Sequence, residues 1–400
     1  MSDSHQFDKP TSWDRPSSSD ASERIRGAVT TVVGGRFVEG NQVQVLKNGD
    51  EIFPEILTAL SEAEHSIDFL TFVYWTGDIA QRVAHHLSEK ARSGVRVRVL
   101  LDAFGSSSMD ESLIDKMREA GAIVERFRPI ARWKFWENDH RTHRKIIVID
   151  EKVGFTGGVG IAAEWEGDAR NPNEWRDTHF RLEGPVVLDL KAAFLTDWRD
   201  TQHPLDFSDS GKKSIPQPGE VEVAVIDGSA QIGFDDAERV LEALIGAARE
   251  RILLQTPYFN PSDMVLDYLK QAVGRGVEIH VLIPGPHIDK RVSKVMANDM
   301  LSPLIDIGVK VWIFEPTMMH VKAVLVDGAA ALVGSINVNR RSMLKDEEAA
   351  IILLNEDLTA KLETQFADDL QRCRPSGTEE ECSMGGKILT KVLQPFKGEI

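Results

Sequence analysis

The chain of 400 residues has only two cysteines, Cys373 and Cys382, both close to its end. No disulfide framework can be built from such a pair, and a reducing, cytosolic compartment is the plain expectation. Positive charge is also in short supply. Lys and Arg number 47 against 63 Asp and Glu, a net charge of −16. That balance argues against binding along a nucleic acid, which needs a dominant basic surface, although it leaves room for a local basic cleft. No uninterrupted apolar run reaches the roughly 18 residues that a spanning helix needs. The first residues, MSDSHQFDKPTSWDRPSSSDASERIRG, lack the basic start and apolar core of a signal peptide and read as a disordered polar tail. No H-E-x-x-H occurs, and the cysteines lie apart from the histidine motifs, so no metal site is expected.

What the chain does have is a repeat. RTHRKIIVID, residues 141–150, is echoed by MHVKAVLVDG, residues 319–328. His143, Lys145 and Asp150 match His320, Lys322 and Asp327 at an offset of 177 residues. Seven and eight residues after each aspartate come small pairs, Gly157 with Gly158 and Gly334 with Ser335. Upstream, EILTALSEAEHSIDFLTFVYW resembles RVLEALIGAARERILLQTPYF, a helical pattern running into an apolar strand that ends in aromatics. Strands alternating with helices predict α/β layers. The expected organisation is a polar tail over 1–37, a first lobe over 38–205, a linker over 206–215, a second lobe over 216–372 and a C-terminal tail over 373–400.

On a strand, residues i and i+2 point the same way. His143 and Lys145 therefore share a face, as do His320 and Lys322. A single H-x-K reads equally well as a solvated strand end. Two in register predict a pseudo-twofold pairing, with both histidines and both lysines around one site. Such a site suits a phosphodiester. One histidine attacks phosphorus, the other moves the proton of the leaving or entering alcohol, and the lysines neutralise the oxygens. No cofactor is needed for this. Asp150 and Asp327, four apolar residues beyond the lysines, read as structural supports. Gly158 and Ser335 leave room for a ligand to approach the backbone.

At these residues the chain resembles the phospholipase D superfamily, whose signature is a duplicated H-x-K-x4-D, here HRKIIVID and HVKAVLVD. Within it, FTGGVGIAAEW, WRDTHFRLEGPVV, QTPYFNPSD and ALVGSINVNRRS are most similar to bacterial cardiolipin synthases and their phosphatidyltransferase relatives. The resemblance implies a duplicated α/β fold with mixed sheets flanked by helices and one active site between the lobes. It implies catalysis by His143, Lys145, His320 and Lys322, with His143 as nucleophile and His320 as general acid/base. Asp177 and Glu348 match the family's histidine-orienting carboxylates, with a strand-start salt bridge as the plainer alternative. Ser335 and Asn337 match its phosphate-binding element. The chain departs from the family pattern at Gly160, where asparagine is usual.

The implied substrate is a phospholipid, with phosphatidylglycerol as donor and acceptor. A phospholipase D-type hydrolase and a nuclease-type phosphodiesterase are the alternatives. The stretch 126–145 mixes Phe127, Trp133, Phe135 and Trp136 with many cations, which suits a membrane interface or a loop folded over the second lobe. KILTKVLQPFKGEI at the C-terminus has the pattern of a short amphipathic helix that touches a membrane or packs on the body. The expected location is cytoplasmic, at the inner face of the cell membrane, with no nucleic-acid partner.

Overall fold

The structure, a computed structural model, describes residues 9–15, 20–34, 37–129, 140–205, 215–228, 236–288 and 301–376. Its first half carries strands β1 (Val38–Lys47), β2 (Ser66–Thr71), β3 (Arg96–Asp102), β4 (Ile123–Phe127), β5 (Ile146–Ile149), β6 (Val153–Gly157) and β7 (Thr178–Glu183). Its second half carries β8 (Val221–Gly228), β9 (Arg251–Gln255), β10 (Glu278–Pro284), β11 (Lys310–Phe314), β12 (Ala323–Val326), β13 (Ala330–Gly334) and β14 (Glu348–Leu354). All join one sheet, and the two halves meet where β1 pairs antiparallel with β8.

Outward from that seam the first half runs β1-β7-β6-β5-β2-β3-β4 and the second β8-β14-β13-β12-β9-β10-β11. The two orders match strand for strand, so the sequence repeat is a repeat of topology. In each half the three outer strands are parallel and the rest antiparallel, the mixed sheet that was expected. Every residue of β5 and β12 is buried, which is why both read as unbroken apolar runs. Between the halves lies a shared core in which Val45, Phe180 and Trp198 pack in one cluster with Leu253, Trp312 and Phe366. Helices Val187–Trp198 and Glu356–Gln371 each supply part of it.

The motif aspartates occupy equivalent turns. Asp150 and Asp327 both adopt positive φ, 54° and 51°, a conformation aspartate tolerates better than most residues. Asp150 accepts the backbone N–H groups of Glu64, His65 and Ser66 at 2.7–2.8 Å. Asp327 accepts those of Arg249, Glu250 and Arg251 at 2.8–2.9 Å. Each ties the hairpin after the H-x-K strand to the start of β2 or β9.

Two expectations need correction. The segment 1–37, expected as a disordered tail, contains a helix over Ala21–Val33 that packs on helix Asp236–Ala247 and buries Ile25 and Val29. Its Arg24 pairs with Asp327 at 2.8 Å. A buried stripe of Ala21, Ile25 and Val29, spaced four apart, was hidden by the polar residues around it. The C-terminal tail was expected from 373, but β15 (Cys373–Pro375) still adds to the sheet beside β11. A three-residue edge strand ending in proline carries almost no pattern of its own. Trp133, Phe135, Trp136, the linker over 206–214 and the amphipathic pattern near the C-terminus lie outside the described residues. Among the described residues no helix is long and apolar enough to cross a membrane.

Candidate active site

His143 and Lys145 stand just before β5, and His320 and Lys322 just before β12. The backbone leading into each motif pairs with the other half of the chain. The N–H of His143 donates to the carbonyl of Glu347 at 2.8 Å, and that of His320 to the carbonyl of Arg176 at 2.8 Å. Since Glu347 and Arg176 directly precede Glu348 and Asp177, these bonds bring each carboxylate to the opposite half's histidine. Nδ1 of His143 lies 3.0 Å from Oε1 of Glu348, and Nδ1 of His320 lies 2.7 Å from Oδ2 of Asp177.

This crossing fixes the chemistry of the rings. The other neighbour of Nδ1 in His143 is the carbonyl of Ser335 at 3.1 Å. Carbonyl and carboxylate only accept, so Nδ1 carries the hydrogen and Nε2 keeps its lone pair. Burial pushes His143 down to about 4, against the upward pull of Glu348. Burial pushes His320 down to about 3, helped by Lys322 and opposed by Asp177. Both rings are neutral at rest near neutral pH. Burial alone would raise Asp177 and Glu348. The facing imidazoles, the lysines and the hydrogen-bond donors outweigh it, and both carboxyls stand below their ordinary values.

The lysines differ. Lys145 lines the cavity, donates to the carbonyl of His143 at 2.6 Å and sits 5.5 Å from the centre of the Phe72 ring. Lys322 lies behind His320, 3.0 and 3.1 Å from its ring nitrogens and 2.7 Å from its carbonyl. Burial lowers Lys145 to about 8 and Lys322 to about 7.

Both histidines face one cavity of about 310 Å³. One wall is aromatic, with Phe72, Trp75, Phe104, Trp165 and Trp175. The other is polar, with Tyr258, Asn337, Asn339, Arg341, Ser342 and Asp346. Phe72 meets His143 edge-on at 5.1 Å, and Trp165 and Trp175 flank His320 at 5.2 and 5.4 Å. Burial raises Asp346 to about 7, against the pull of Arg341, whose Nε donates to it at 3.1 Å.

Not every expected residue reaches the cavity. Asn337 lines it, but Gly158 and Ser335, expected to contact substrate, do not. Ser335 is engaged by its own strand. Its hydroxyl donates to Glu348 and accepts from the N–H of Ala349 at 3.0 Å, and its N–H bonds the carbonyl of Ala349. Gly158 lies against Asp177, where a Cβ would stand 2.2 Å from Oδ1. Preceding them, Gly157 and Gly334 share a φ of 154° and 155°, and a Cβ on either would meet backbone within 2.8 Å. These small pairs serve close packing. Asp150 and Asp327 also lie away from the cavity, in their turns.

The aromatic wall and the Arg341–Asp346 pair were missed in the sequence. The strand ends FVYW and TPYF were a usable signal, because Phe72, Trp75 and Tyr258 come from them. Trp165, Trp175 and Asp346 had none. Among the described residues, no group of three His, Cys, Asp or Glu is placed to hold a metal ion.

The family model described as cardiolipin synthase, phospholipase D-like domain, matches residues 56–164 and 241–370. Cardiolipin synthase 1 of Bacillus anthracis is 31% identical over 363 residues, covering 88% of this chain and 71% of that one. A cardiolipin synthase of Clostridium perfringens is 30% identical, covering 90% and 78%. The crystal structure of phosphatidylserine synthase from Haemophilus influenzae superposes with a TM-score of 0.67 at 13% identity, covering 93% of this chain and 97% of that one.

Proposed function

Since the chain belongs to the cardiolipin synthase family with phospholipase D-like domains, an enzyme family, we propose that it is a phosphatidyltransferase working through a covalent phosphohistidine. The observation that carries this reading is the crossed pairing of two histidines with carboxylates of the opposite halves around one cavity.

In the first step Nε2 of His143 attacks phosphorus, an Nε2–P bond forms, and the bond to the leaving alcohol breaks. His320 delivers a proton from its Nε2 to that alcohol. Its ring is neutral at rest, and the bound phosphodiester anion supplies the charge that favours the imidazolium. In the second step the entering alcohol gives its proton to His320 and attacks phosphorus, and the Nε2–P bond breaks. Lys145 neutralises the non-bridging oxygens, and Lys322 holds His320 from behind.

The cavity wall favours an alcohol over water as acceptor. Asn337, Asn339, Ser342 and Asp346 offer hydrogen-bonding groups suited to a glycerol headgroup, and phosphatidylglycerol as both donor and acceptor fits this wall. Contact with a membrane surface also belongs to this proposal. Phe104, on the aromatic wall, is 49% exposed. Leu344, one helical turn beyond Arg341, is 50% exposed, and Met264, six residues after Tyr258, is 55% exposed. Large apolar side chains left in solvent on elements that build a cavity mouth suit a lipid surface.

The test is the purified full chain with phosphatidylglycerol vesicles and EDTA, with phosphatidylethanolamine as a second candidate donor. Cardiolipin and glycerol are the expected products. Phosphatidic acid alone would make the chain a hydrolase, and no turnover of either lipid would end the proposal.

A further inference from the structure

The two halves hold their histidine-bound carboxylates differently. In the second half, Ser335 lies 13 positions before Glu348 and donates its hydroxyl to it. In the first half the matching position is Gly158, 19 residues before Asp177, and glycine has no hydroxyl to give. The donor comes from the longer connection. Nε1–H of Trp165 reaches Oδ2 of Asp177 at 2.9 Å, the same oxygen that accepts from His320. Two glycines make this possible. A Cβ on Gly158 would collide with Asp177, and a Cβ on Gly160 would stand 2.7 Å from Val73 and 3.2 Å from the Trp165 ring. Gly160 is thus room for an indole.

We propose that Trp165 is a positioning residue for the acid/base histidine, its indole N–H holding Asp177 and thereby His320 as the Ser335 hydroxyl holds Glu348 and His143. The inference rests on the reading of His320 as the proton carrier. Its physical content is a donor competing for a carboxylate. An N–H on Oδ2 makes Asp177 a weaker base, so Asp177 pulls less strongly on the His320 proton and the ring releases it more readily to the leaving alcohol. Trp165 is 2% exposed, so water does not replace the donor without rearrangement.

Trp165→Phe in the full chain keeps a ring against His320 and removes the donor. On phosphatidylglycerol vesicles, kcat is expected to fall about tenfold with KM within about twofold. The limb of the kcat–pH profile owed to His320 moves to higher pH, because a more basic Asp177 holds the imidazolium longer. A residue that only fills space lowers the rate equally at every pH, and an unmoved limb overturns the proposal. If Trp165→Phe does not fold, 5-fluorotryptophan placed at position 165 alone keeps the ring and strengthens the N–H as donor. The far-downfield proton resonance of His320 Nδ1–H then moves upfield as its bond to Asp177 weakens, and an unchanged resonance overturns the proposal. That spectrum needs no turnover. A chain inactive on these lipids would fail as a transferase while this hydrogen bond was still read.

Discussion

Nδ1 of His143 in the first half lies 3.0 Å from Oε1 of Glu348 in the second. Neither half holds its own histidine, so half a chain has a nucleophile with no fixed tautomer.

Glu348→Gln tests this directly. The amide offers N–H groups as well as a carbonyl, and a donor facing Nδ1 favours the tautomer with hydrogen on Nε2. Nε2 then has no lone pair for phosphorus. We expect kcat to fall about 10- to 100-fold or more with little change in KM, since the residue touches the histidine and not the lipid. A fall confined to KM would mean that Glu348 binds substrate.

The two histidines separate by what each loss leaves behind. With His143 as nucleophile, His143→Ala forms no covalent adduct. His320→Ala still attacks a donor whose leaving group needs no proton, such as a p-nitrophenyl phosphodiester, and the phosphatidyl-histidine accumulates because nothing activates the second alcohol. Acid-labile, base-stable label found on His320 in the His143→Ala protein would reverse the assignment.

The buried lysines set the alkaline side of the pH profile. Burial brings Lys322 to about 7 and Lys145 to about 8, so both lose their proton as pH rises through that window in the free enzyme. Neutral lysines do not offset the charge of the phosphate, and kcat/KM should decline from about pH 7 upward in the free enzyme. Bound phosphodiester favours the charged amines, so the decline in kcat starts at higher pH. Lys145→Met, an uncharged chain of similar length, should lower kcat/KM by about 100-fold or more and flatten this limb. A limb that survives unchanged in Lys145→Met belongs to Lys322 or to another group.

Much of this architecture was readable in advance, and the reason is periodicity. The match of His143, Lys145 and Asp150 to His320, Lys322 and Asp327 gave the duplication, and the sheet repeats it strand for strand. Asp177 and Glu348 were found because each sits at a strand start in register with the repeat. Which histidine each would meet was not legible, because that depends on the halves facing each other and no local pattern encodes it. Ser335 misled for a related reason. A hydroxyl beside a phosphate motif suggests a ligand, yet this one closes on Glu348 in its own sheet. Trp165 and Trp175 lie in the stretch that has no counterpart in the second half, so the repeat could not point to them.

The motif aspartates predict a stability difference between the two halves. Asp150 and Asp327 each accept three backbone N–H groups, but Asp327 is 1% exposed and also receives Arg24 at 2.8 Å. Asp150 is only half-buried, so water can take over part of its role. Replacing either by alanine removes the acceptor and leaves a non-glycine residue without aspartate's local hydrogen bonds at positive φ. Asp327→Ala also leaves the Arg24 guanidinium without this partner and loosens helix Ala21–Val33 from the second half. We expect losses of about 3 kcal/mol or more for Asp327→Ala and about 1–2 kcal/mol for Asp150→Ala, from urea unfolding midpoints at matched slope. Deleting residues 1–34 should take away the Arg24 share, so that Asp327→Ala costs less in the truncated chain than in the full one. Equal costs in the two backgrounds would show that the N-terminal helix and the motif turn are energetically separate.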